Sequence, residues 1–224
     1  MNLTEVISLI NEIEWKTSNN LVEYDFAVSE MKKRVLEIKK NSACEMIWLL
    51  EHNSIFTAGT SAKLEDLKNS NVNFLYTGRG GQWTWHGPGQ RVVYLMLNLK
   101  NRLQDVKAYV YALEELIILT LKDFYIDGAR INGQPGVWVK NNNVCDKIAA
   151  LGIRISSWIT FHGISINVNP NLNEFNNIVP CGIKNSGVTS FYKLGKKINL
   201  KELDISLKKN FNKVFGNESL FKLK

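Results

Sequence analysis

Residues 135–169, PGVWVKNNNVCDKIAALGIRISSWITFHGISINVN, decide the fold of this chain. Two apolar segments, PGVWV and KIAALGIRI, lie on either side of three consecutive asparagines, which favour a turn. This pattern predicts a β-hairpin, and ITFHGISINVN predicts a further strand directly after it. Consecutive strands without an intervening helix argue against a regular βαβ fold.

Helical patterns lie on both sides of this stretch. Apolar residues that recur at spacings of three and four predict one helix that ends near Lys40 and a second that Asp105 caps. Asn199 and Glu202 have the spacing of a capping box, and they predict a last helix that stops at Gly216.

Further strands are predicted where apolar runs occur at residues 45–51, 73–76 and 91–99. Helices at both ends and in the middle, with most strands consecutive, predict an α+β fold with a mixed α/β sheet. A chain of 224 residues suits one hydrophobic core, so we predict a single domain over residues 1–224.

The composition is that of a globular protein, with 45% apolar and 22% charged residues. The first residues, MNLTEVISLINEIEW, lack the basic and apolar regions of a signal peptide. No apolar run approaches the ~20 residues that span a bilayer. We therefore expect a cytoplasmic protein with no membrane partner.

The formal net charge of +7 is concentrated near the C-terminus. Residues 184–224 contain ten lysines and three acidic residues, whereas the preceding residues sum to about zero. Two interpretations are open, a solvated helix face and a docking surface for an acidic partner. Nucleic acid is not an expected partner, because the lysines do not alternate with aromatic residues and no nucleic-acid-binding motif occurs.

The three cysteines are far apart in sequence, and their spacing predicts neither disulfides nor a metal site. Cys181 lies between a proline and a glycine in VPCGI, where a tightly turned backbone can expose a nucleophile. Cys145 is a poorer candidate for a nucleophile, because the negative charge of the neighbouring Asp146 disfavours a thiolate. Cys44 falls between a predicted helix and a predicted strand, and both it and Cys145 are interpreted as structural.

The segment RGGQWTWHGPGQ, residues 79–90, is a glycine-rich loop between two predicted strands. Glycines let the backbone approach a bound group closely, and amides outside a strand ladder can point at an anion or a carbonyl. A long hairpin connection would also use glycines. The segment nevertheless combines them with polar side chains and two tryptophans, which is unusual for a surface turn, so we predict that it lines a ligand site.

Three residues are candidates for a proton-transfer partner of Cys181. Lys147 begins an apolar strand, where a lysine either extends to water or becomes a partly desolvated amine that exchanges protons near neutral pH. His86 and His162 lie in a candidate loop and a candidate strand, and either could be a hydrogen-bonded core histidine. Sequence spacing does not decide between the three.

Four segments together resemble the lipoyl(octanoyl) transferase family in order and approximate spacing. They are residues 79–99, 135–139, 147–172 and 177–191, the last being NIVPCGIKNSGVTSF. The resemblance implies the fold of the lipoate and biotin protein ligase catalytic domains. It also implies a reaction that moves octanoyl from octanoyl-acyl carrier protein to a lysine of a lipoyl domain, in 2-oxoacid dehydrogenases and the glycine cleavage H protein.

The family resemblance also implies residue roles. It places the nucleophile on Cys181 and the catalytic lysine on Lys147, and it implies no metal, nucleotide or redox cofactor. Its substrate-binding segments fall on Arg79, Gly80, Gly81, Gln82, Trp83, Thr84, Trp85, His86, Ala150, Leu151, Gly152, Gly163, Ile164 and Ser165. Cys145 and Asp146, just before Lys147, depart from the expected uncharged or basic hairpin end.

Two other functions are compatible with the sequence. An ATP-dependent lipoate or biotin ligase would share the fold, but it forms an acyl-adenylate and needs no thiol nucleophile, which VPCG supplies here. A non-catalytic protein that binds acyl carrier protein or lipoyl domains would never form an acyl-cysteine. A requirement for ATP would indicate a ligase rather than a transferase. A trapped acyl-enzyme would indicate a transferase rather than a non-catalytic binding protein.

Overall fold

A mixed sheet of seven strands is the largest element of the computed structural model, which describes residues 13–141, 144–179 and 187–216. The strands of the described ranges are, in chain order, β1 (Ile13–Thr17), β2 (Glu45–Leu50), β3 (Ile55–Ala58), β4 (Phe74–Tyr76), β5 (Trp83–His86), β6 (Gln90–Met96), β7 (Gly128–Ile131), β8 (Gln134–Asn141), β9 (Val144–Ser156) and β10 (Ile159–Asn167). The α-helices are α1 (Tyr24–Lys39), α2 (Val106–Asp123) and α3 (Leu200–Phe215).

The order of strands across the main sheet is β1, β2, β6, β10, β9, β8 and β7. β1 runs parallel to β2, whereas β2 with β6 and all the following pairs are antiparallel. A smaller sheet has the order β4, β3, β5, with β3 parallel to β4 and antiparallel to β5. The predicted α+β fold with a mixed sheet is confirmed.

Helices cover both faces of the main sheet. Helix α1 packs on one face against residues of β2, β6 and β10 that include Trp48 and Val92. Helices α2 and α3 pack on the other face, against the alternate residues of the same strands, such as Ile47 and Val93. Burial on both faces explains why β2 and β6 are continuous apolar runs rather than alternating ones.

The helix boundaries follow the capping residues. Asp105 accepts backbone hydrogen bonds from Lys107 and Ala108 at the start of α2, as predicted. Asn199 and Glu202 form the predicted capping box of α3, which ends at Gly216. In the described ranges, no helix has the length and apolar character that crossing a membrane requires.

The hairpin of β8 and β9, the following strand β10 and the strands β2, β4 and β6 are confirmed. The residues Asn142 and Asn143 of the predicted turn lie outside the described ranges. The sequence gives weaker signals for β1, β3, β5 and β7, which were not predicted. The glycines before and after WTWH favour a loop, but this segment forms the strand β5 because it pairs with β3.

Candidate active site

A cavity of about 370 Å³ lies between the glycine-rich segment and strands β6, β9 and β10. Of the residues that sequence analysis assigned to substrate binding, all except Trp85 line it: Arg79, Gly80, Gly81, Gln82, Trp83, Thr84, His86, Ala150, Leu151, Gly152, Gly163, Ile164 and Ser165. Lys147 lines the cavity as well. Segments that are far apart in sequence therefore meet in one place.

A β-bulge in β9 orients Lys147. Val137 of β8 pairs with Ala149, but its neighbour Trp138 pairs with Lys147, so Ile148 is one extra residue. Both Ile148 and Ala149 belong to the core under helices α2 and α3. Because side chains alternate along a strand, the extra residue places Lys147 on the opposite face, where it lines the cavity.

The side chain of Lys147 is almost fully buried, with 5% of its surface exposed. Its Nζ donates a hydrogen bond to the carbonyl oxygen of Pro135 at 3.0 Å. The same atom lies 4.5 Å from the ring centroid of Trp138, within the range of a cation–π contact. These contacts hold the amine in one position instead of letting it extend to water.

The chain segment that follows the VPCG motif runs alongside Lys147. The Lys147 N–H donates to the carbonyl of Gly187 at 2.9 Å, and the Thr189 N–H donates to the Lys147 carbonyl at 3.0 Å. Cys181 itself, with residues 180–186, lies outside the described ranges. The nearest described residue before it is Val179, whose N–H donates to the carbonyl of Asp66 at 2.7 Å.

A buried hydrogen-bond network connects this segment to the glycine-rich region. Asn167 Nδ2 donates to the Thr189 carbonyl at 3.0 Å, so its Oδ1 accepts from Gln90 Nε2 at 3.0 Å. Gln90 Oε1 then accepts from His86 Nδ1 at 2.7 Å. The Thr189 carbonyl can only accept, so it fixes the donor of every hydrogen bond in this network. The proton of the neutral His86 ring is therefore on Nδ1, and Nε2 is unprotonated.

The histidines near the cavity are neutral. Burial lowers the pKa of His86 and that of His162 to about 3, and it lowers the pKa of His52 to about 4. A depressed histidine pKa means that the charged form is disfavoured, so these imidazoles are weak bases at pH 7. Among the three candidates for proton transfer, the histidines therefore suit hydrogen bonding better than base catalysis.

The position of Arg79 explains how the glycine-rich segment is held. Its Nη2 donates to the carbonyl of Thr57 at 2.7 Å and to that of Gln82 at 2.8 Å, and its Nε donates to the Thr57 hydroxyl at 3.1 Å. The Gly80 N–H donates to the carbonyl of Ile153 on β9. Arg79 thus ties the segment to β3, while Gly80 ties it to the main sheet.

This chain is similar to known proteins in both sequence and fold. Residues 23–212 match the family model of the lipoyl protein ligase A/B catalytic domain. The chain belongs to this family. A protein of Bartonella quintana named octanoyltransferase is 51% identical over 91% of this chain and 87% of its own length. One of Wolbachia from Brugia malayi with the same name is 48% identical over 91% of this chain and its full length.

Solved structures of lipoate protein ligases share the fold of this family member. The bi-partite lipoate protein ligase of Thermoplasma acidophilum has a TM-score of 0.68 at 10% identity, covering 95% of this chain and 87% of its own. A lipoate-protein ligase A bound with ATP has a TM-score of 0.64 at 11% identity, covering 89% and 84% of the two chains. At these identities, the likeness is one of fold.

Trp85 does not line the cavity of this ligase-family domain. Its ring packs edge-on against Phe175 at 5.7 Å, and its Nε1 donates to the Ser54 hydroxyl at 2.9 Å. Trp83, Thr84 and His86 line the cavity, whereas Trp85 is enclosed in the apolar cluster of the smaller sheet with Phe56 and Phe175. Its place in the family motif is explained by packing of the smaller sheet.

Several cavity residues carry no signal in the sequence. Tyr24 and Tyr94 fit the patterns of an apolar helix face and of a central strand, and the sequence gives no sign that Ser61, Gly133, Gln134 and Pro135 line a cavity. Burial raises the pKa of both Tyr24 and Tyr94, so both phenols stay protonated. In the described part of the chain, no group of three or more His, Cys, Asp or Glu residues could hold a metal.

Two of the predicted cavity glycines, Gly152 and Gly163, differ in what surrounds them. A Cβ on Gly163 would lie 2.0 Å from the carbonyl oxygen of Val93 on β6, which is impossible without a shift of the backbone. A Cβ on Gly152 would lie 3.2 Å from Arg79 Cδ and from the Gly80 carbonyl oxygen, so small movements can accommodate it. Strand packing requires Gly163, whereas Gly152 limits only the width of the cavity.

We therefore expect Gly163→Ala to lower the free energy of unfolding by roughly 1–3 kcal/mol, because it overpacks the β6–β10 contact. Gly152→Ala should change it by less than about 1 kcal/mol. Chemical denaturation of both variants, followed by circular dichroism, measures the difference. Equal losses of stability in the two variants would contradict this distinction.

Proposed function

We propose that this protein transfers octanoyl from octanoyl-acyl carrier protein to a specific lysine of lipoyl domains through a thioester on Cys181, with Lys147 as the proton acceptor. Family membership and about 50% identity to octanoyltransferases make the chain an acyltransferase of protein lipoylation. One observation supports the covalent route most directly: the segment after VPCG is hydrogen-bonded to the backbone of Lys147.

The first half of the reaction is a thiol exchange. The Cys181 thiolate attacks the thioester carbonyl, the carbon–sulfur bond to the phosphopantetheine arm breaks, and the arm leaves as a thiolate that takes up a proton. A buried ammonium on Lys147 favours the thiolate of Cys181 before attack. Backbone amides of the glycine-rich segment or of the Cys181 turn stabilise the oxyanion. The N–H of Gly80 already donates to the carbonyl of Ile153.

The second half needs a neutral amine on the acceptor. The ε-amine of the acceptor lysine attacks the acyl-cysteine carbonyl, the thiolate of Cys181 leaves, and Lys147 accepts the proton that the attacking nitrogen loses. The neutral, weakly basic His86 and His162 do not suit this task, because burial holds the pKa of each at about 3. The products are an octanoyl amide and the free enzyme.

The acyl chain occupies the cavity in this proposal. Apolar side chains of Val92, Leu151, Ile153 and Ile164 line it together with the small residues of β9 and β10. Burying an apolar chain there contributes about 0.8 kcal/mol per methylene, which is sufficient to hold a medium-length chain during transfer. No metal, nucleotide or redox cofactor takes part in either step.

The protein partners are proposed from the same resemblance. The donor is octanoyl-acyl carrier protein, and the acceptors are lipoyl domains of 2-oxoacid dehydrogenases and the glycine cleavage H protein. These partners and the reaction correspond to a cytoplasmic enzyme. The fold shared with a ligase that binds ATP makes ATP-dependent activation the second candidate function.

Cys181→Ala should abolish octanoyl transfer, because no thiol remains to carry the acyl group. Cys44→Ala and Cys145→Ala should keep most of the activity. Incubation of the wild type with octanoyl-acyl carrier protein, followed by digestion and mass spectrometry, should locate an octanoyl group on Cys181 without added ATP. An octanoyl group on Cys145, a requirement for ATP, or full turnover of Cys181→Ala would each refute the covalent proposal.

Lys147→Ala should slow both half-reactions, because it removes the cation that favours the thiolate and the base that accepts the proton. General base catalysis is typically worth ~10²–10⁴-fold, so we expect a rate loss of that order. High pH should partly rescue the second step, where the acceptor lysine deprotonates unaided. Lys147→Arg should also fail, since a guanidinium stays protonated. Single-turnover rates across pH measure these effects, and a rate for Lys147→Arg equal to that of the wild type would exclude Lys147 as the base.

The position of Lys193 makes the docking hypothesis specific. Its half-exposed Nζ donates to the carbonyl of Val188, in the segment beside Lys147, and lies 3.7 Å from Asp146. Lys208 lies instead on α3, beside Trp15. If an acidic carrier protein docks at the active site, Lys193→Glu should lower kcat/KM for carrier-bound octanoyl, and this loss should diminish at high salt.

Lys208→Glu is the matched control for this charge reversal, and octanoyl-pantetheine is the control substrate. We expect a several-fold loss for Lys193→Glu with the carrier-bound donor only. Equal losses for both variants would indicate a general effect of net charge. A loss with octanoyl-pantetheine would indicate a damaged site and would rule out docking at Lys193.

A further inference from the structure

One peptide group separates Lys147 from a buried carboxylate. The carbonyl oxygen of Pro135 accepts a hydrogen bond from Lys147 Nζ at 3.0 Å. The N–H of Gly136, which belongs to the same peptide group, donates to Glu114 Oε1 at 3.0 Å. The amine and the carboxylate are therefore bound to opposite ends of one peptide dipole.

Gly136 makes this arrangement sterically possible. Its φ of +125° is one that residues with a side chain rarely adopt. A Cβ at this position would lie 2.8 Å from the carbonyl oxygen of Ala149 and 3.1 Å from Lys147 Cε. The side chain of Lys147 therefore passes over a backbone site that only glycine can occupy.

Glu114 is itself held in place on helix α2. Only 8% of its surface is exposed, and its Oε2 lies 3.2 Å from Arg130 Nε. Arg130 also pairs with Glu115 at 2.5 Å and lies 3.8 Å from the ring centroid of Tyr111. A carboxylate fixed in this way presents its second oxygen to Gly136 in a single orientation.

The physical consequence is polarisation of the peptide group. A carboxylate that accepts from the N–H draws the proton toward itself and makes the carbonyl oxygen at the other end more negative. A more negative carbonyl binds an ammonium more strongly than a neutral amine, since the bond is charge-assisted. The charge of Glu114 thus acts on Lys147 without direct contact.

We propose that Glu114 is a positioning residue, which holds Lys147 Nζ at the active site and stabilises its protonated form through the Pro135–Gly136 peptide. The proposal rests on the function proposed above for Lys147. It adds a control of the proton affinity of Lys147 by a residue of helix α2, on the other side of the hairpin.

The other charged groups around Lys147 act from different directions. Asp146 is its neighbour on β9 and lies 3.7 Å from Lys193, an exposed lysine that screens it. Arg130 lies behind Glu114 and partly offsets its charge. Across the cavity, burial lowers the pKa of His86 to about 3, so its ring adds no charge near neutral pH. Of these groups, Glu114 is the one that is hydrogen-bonded to the peptide group whose carbonyl accepts from Lys147.

Glu114→Gln is the informative variant. The glutamine carbonyl can still accept the Gly136 N–H, so the geometry is kept while the negative charge is removed. Without that charge the protonated form of Lys147 is less stabilised. Its titration midpoint should then fall by about half a pH unit to one pH unit. The midpoint is measured by NMR on protein labelled with ¹³Cε-lysine, and the signal is assigned by its absence in Lys147→Arg.

Glu115→Gln is the matched control. Glu115 lies on the same helix and undergoes the same change of charge, and its carboxylate is paired with Arg130, whereas the Gly136 N–H donates to Glu114. Its effect on the Lys147 signal should stay within about 0.2 pH units. An unchanged midpoint in Glu114→Gln, or an equal shift in Glu115→Gln, would overturn the proposal.

A second variant covers the case in which Glu114→Gln fails to fold. Glu114→Asp keeps the charge but is one methylene shorter, so it should lose the bond to Gly136 and lower the Lys147 midpoint in the same direction. A midpoint within 0.2 pH units of the wild type in folded Glu114→Asp would refute the relay through the peptide.

Kinetics separate this inference from the proposed function. The pH at which acyl transfer from Cys181 reaches half its maximal rate should move with the NMR midpoint in Glu114→Gln. If the NMR midpoint moves and the rate profile does not, the role of Lys147 as the base fails, while its control by Glu114 stands. If Lys147→Ala abolishes transfer and the NMR midpoint of Glu114→Gln is unchanged, the function stands and this inference fails.

Discussion

The β-bulge at Ile148 is the constraint on which the active site depends. Without the extra residue, Lys147 would share the face of Ala149 and would point into the core under helices α2 and α3. With it, the same strand supplies two consecutive core residues and a buried amine on the cavity side. A single irregularity in pairing thus reconciles a well-packed core with a lysine on the cavity side of the same strand.

Two buried hydrogen-bond networks lie beside the cavity, and the donor and acceptor of each bond in them are defined. The network from His86 through Gln90 and Asn167 ends at the backbone carbonyl of Thr189, and the peptide before Gly136 links Glu114 to Lys147. Buried polar groups are costly unless they are paired, and a fully paired network is rigid. The backbone at Thr189 and the amine of Lys147 are therefore both held by pre-organised contacts.

Burial divides the titratable residues of the site into two groups. It lowers the pKa of His86 and His162 far enough that their imidazoles remain neutral. The amine of Lys147, buried to a similar extent, contacts a carbonyl and an aromatic ring and lies one peptide group away from a carboxylate. The surroundings of these side chains, rather than their residue types, separate the neutral imidazoles from the amine that we propose as the proton acceptor.

The sequence by itself determined the helices, most strands of the main sheet, the capping residues and the cavity lining from the glycine-rich segment and from much of β9 and β10. Local periodicity and the family motifs carry that information. Tertiary structure alone decided that Trp85 faces away from the cavity, that WTWH is a strand, and that Glu114 reaches Gly136. These features depend on the face that a strand turns to its neighbour and on contacts between residues 22 positions apart. No spacing rule along the chain encodes such contacts, since they arise only when separate elements pack together.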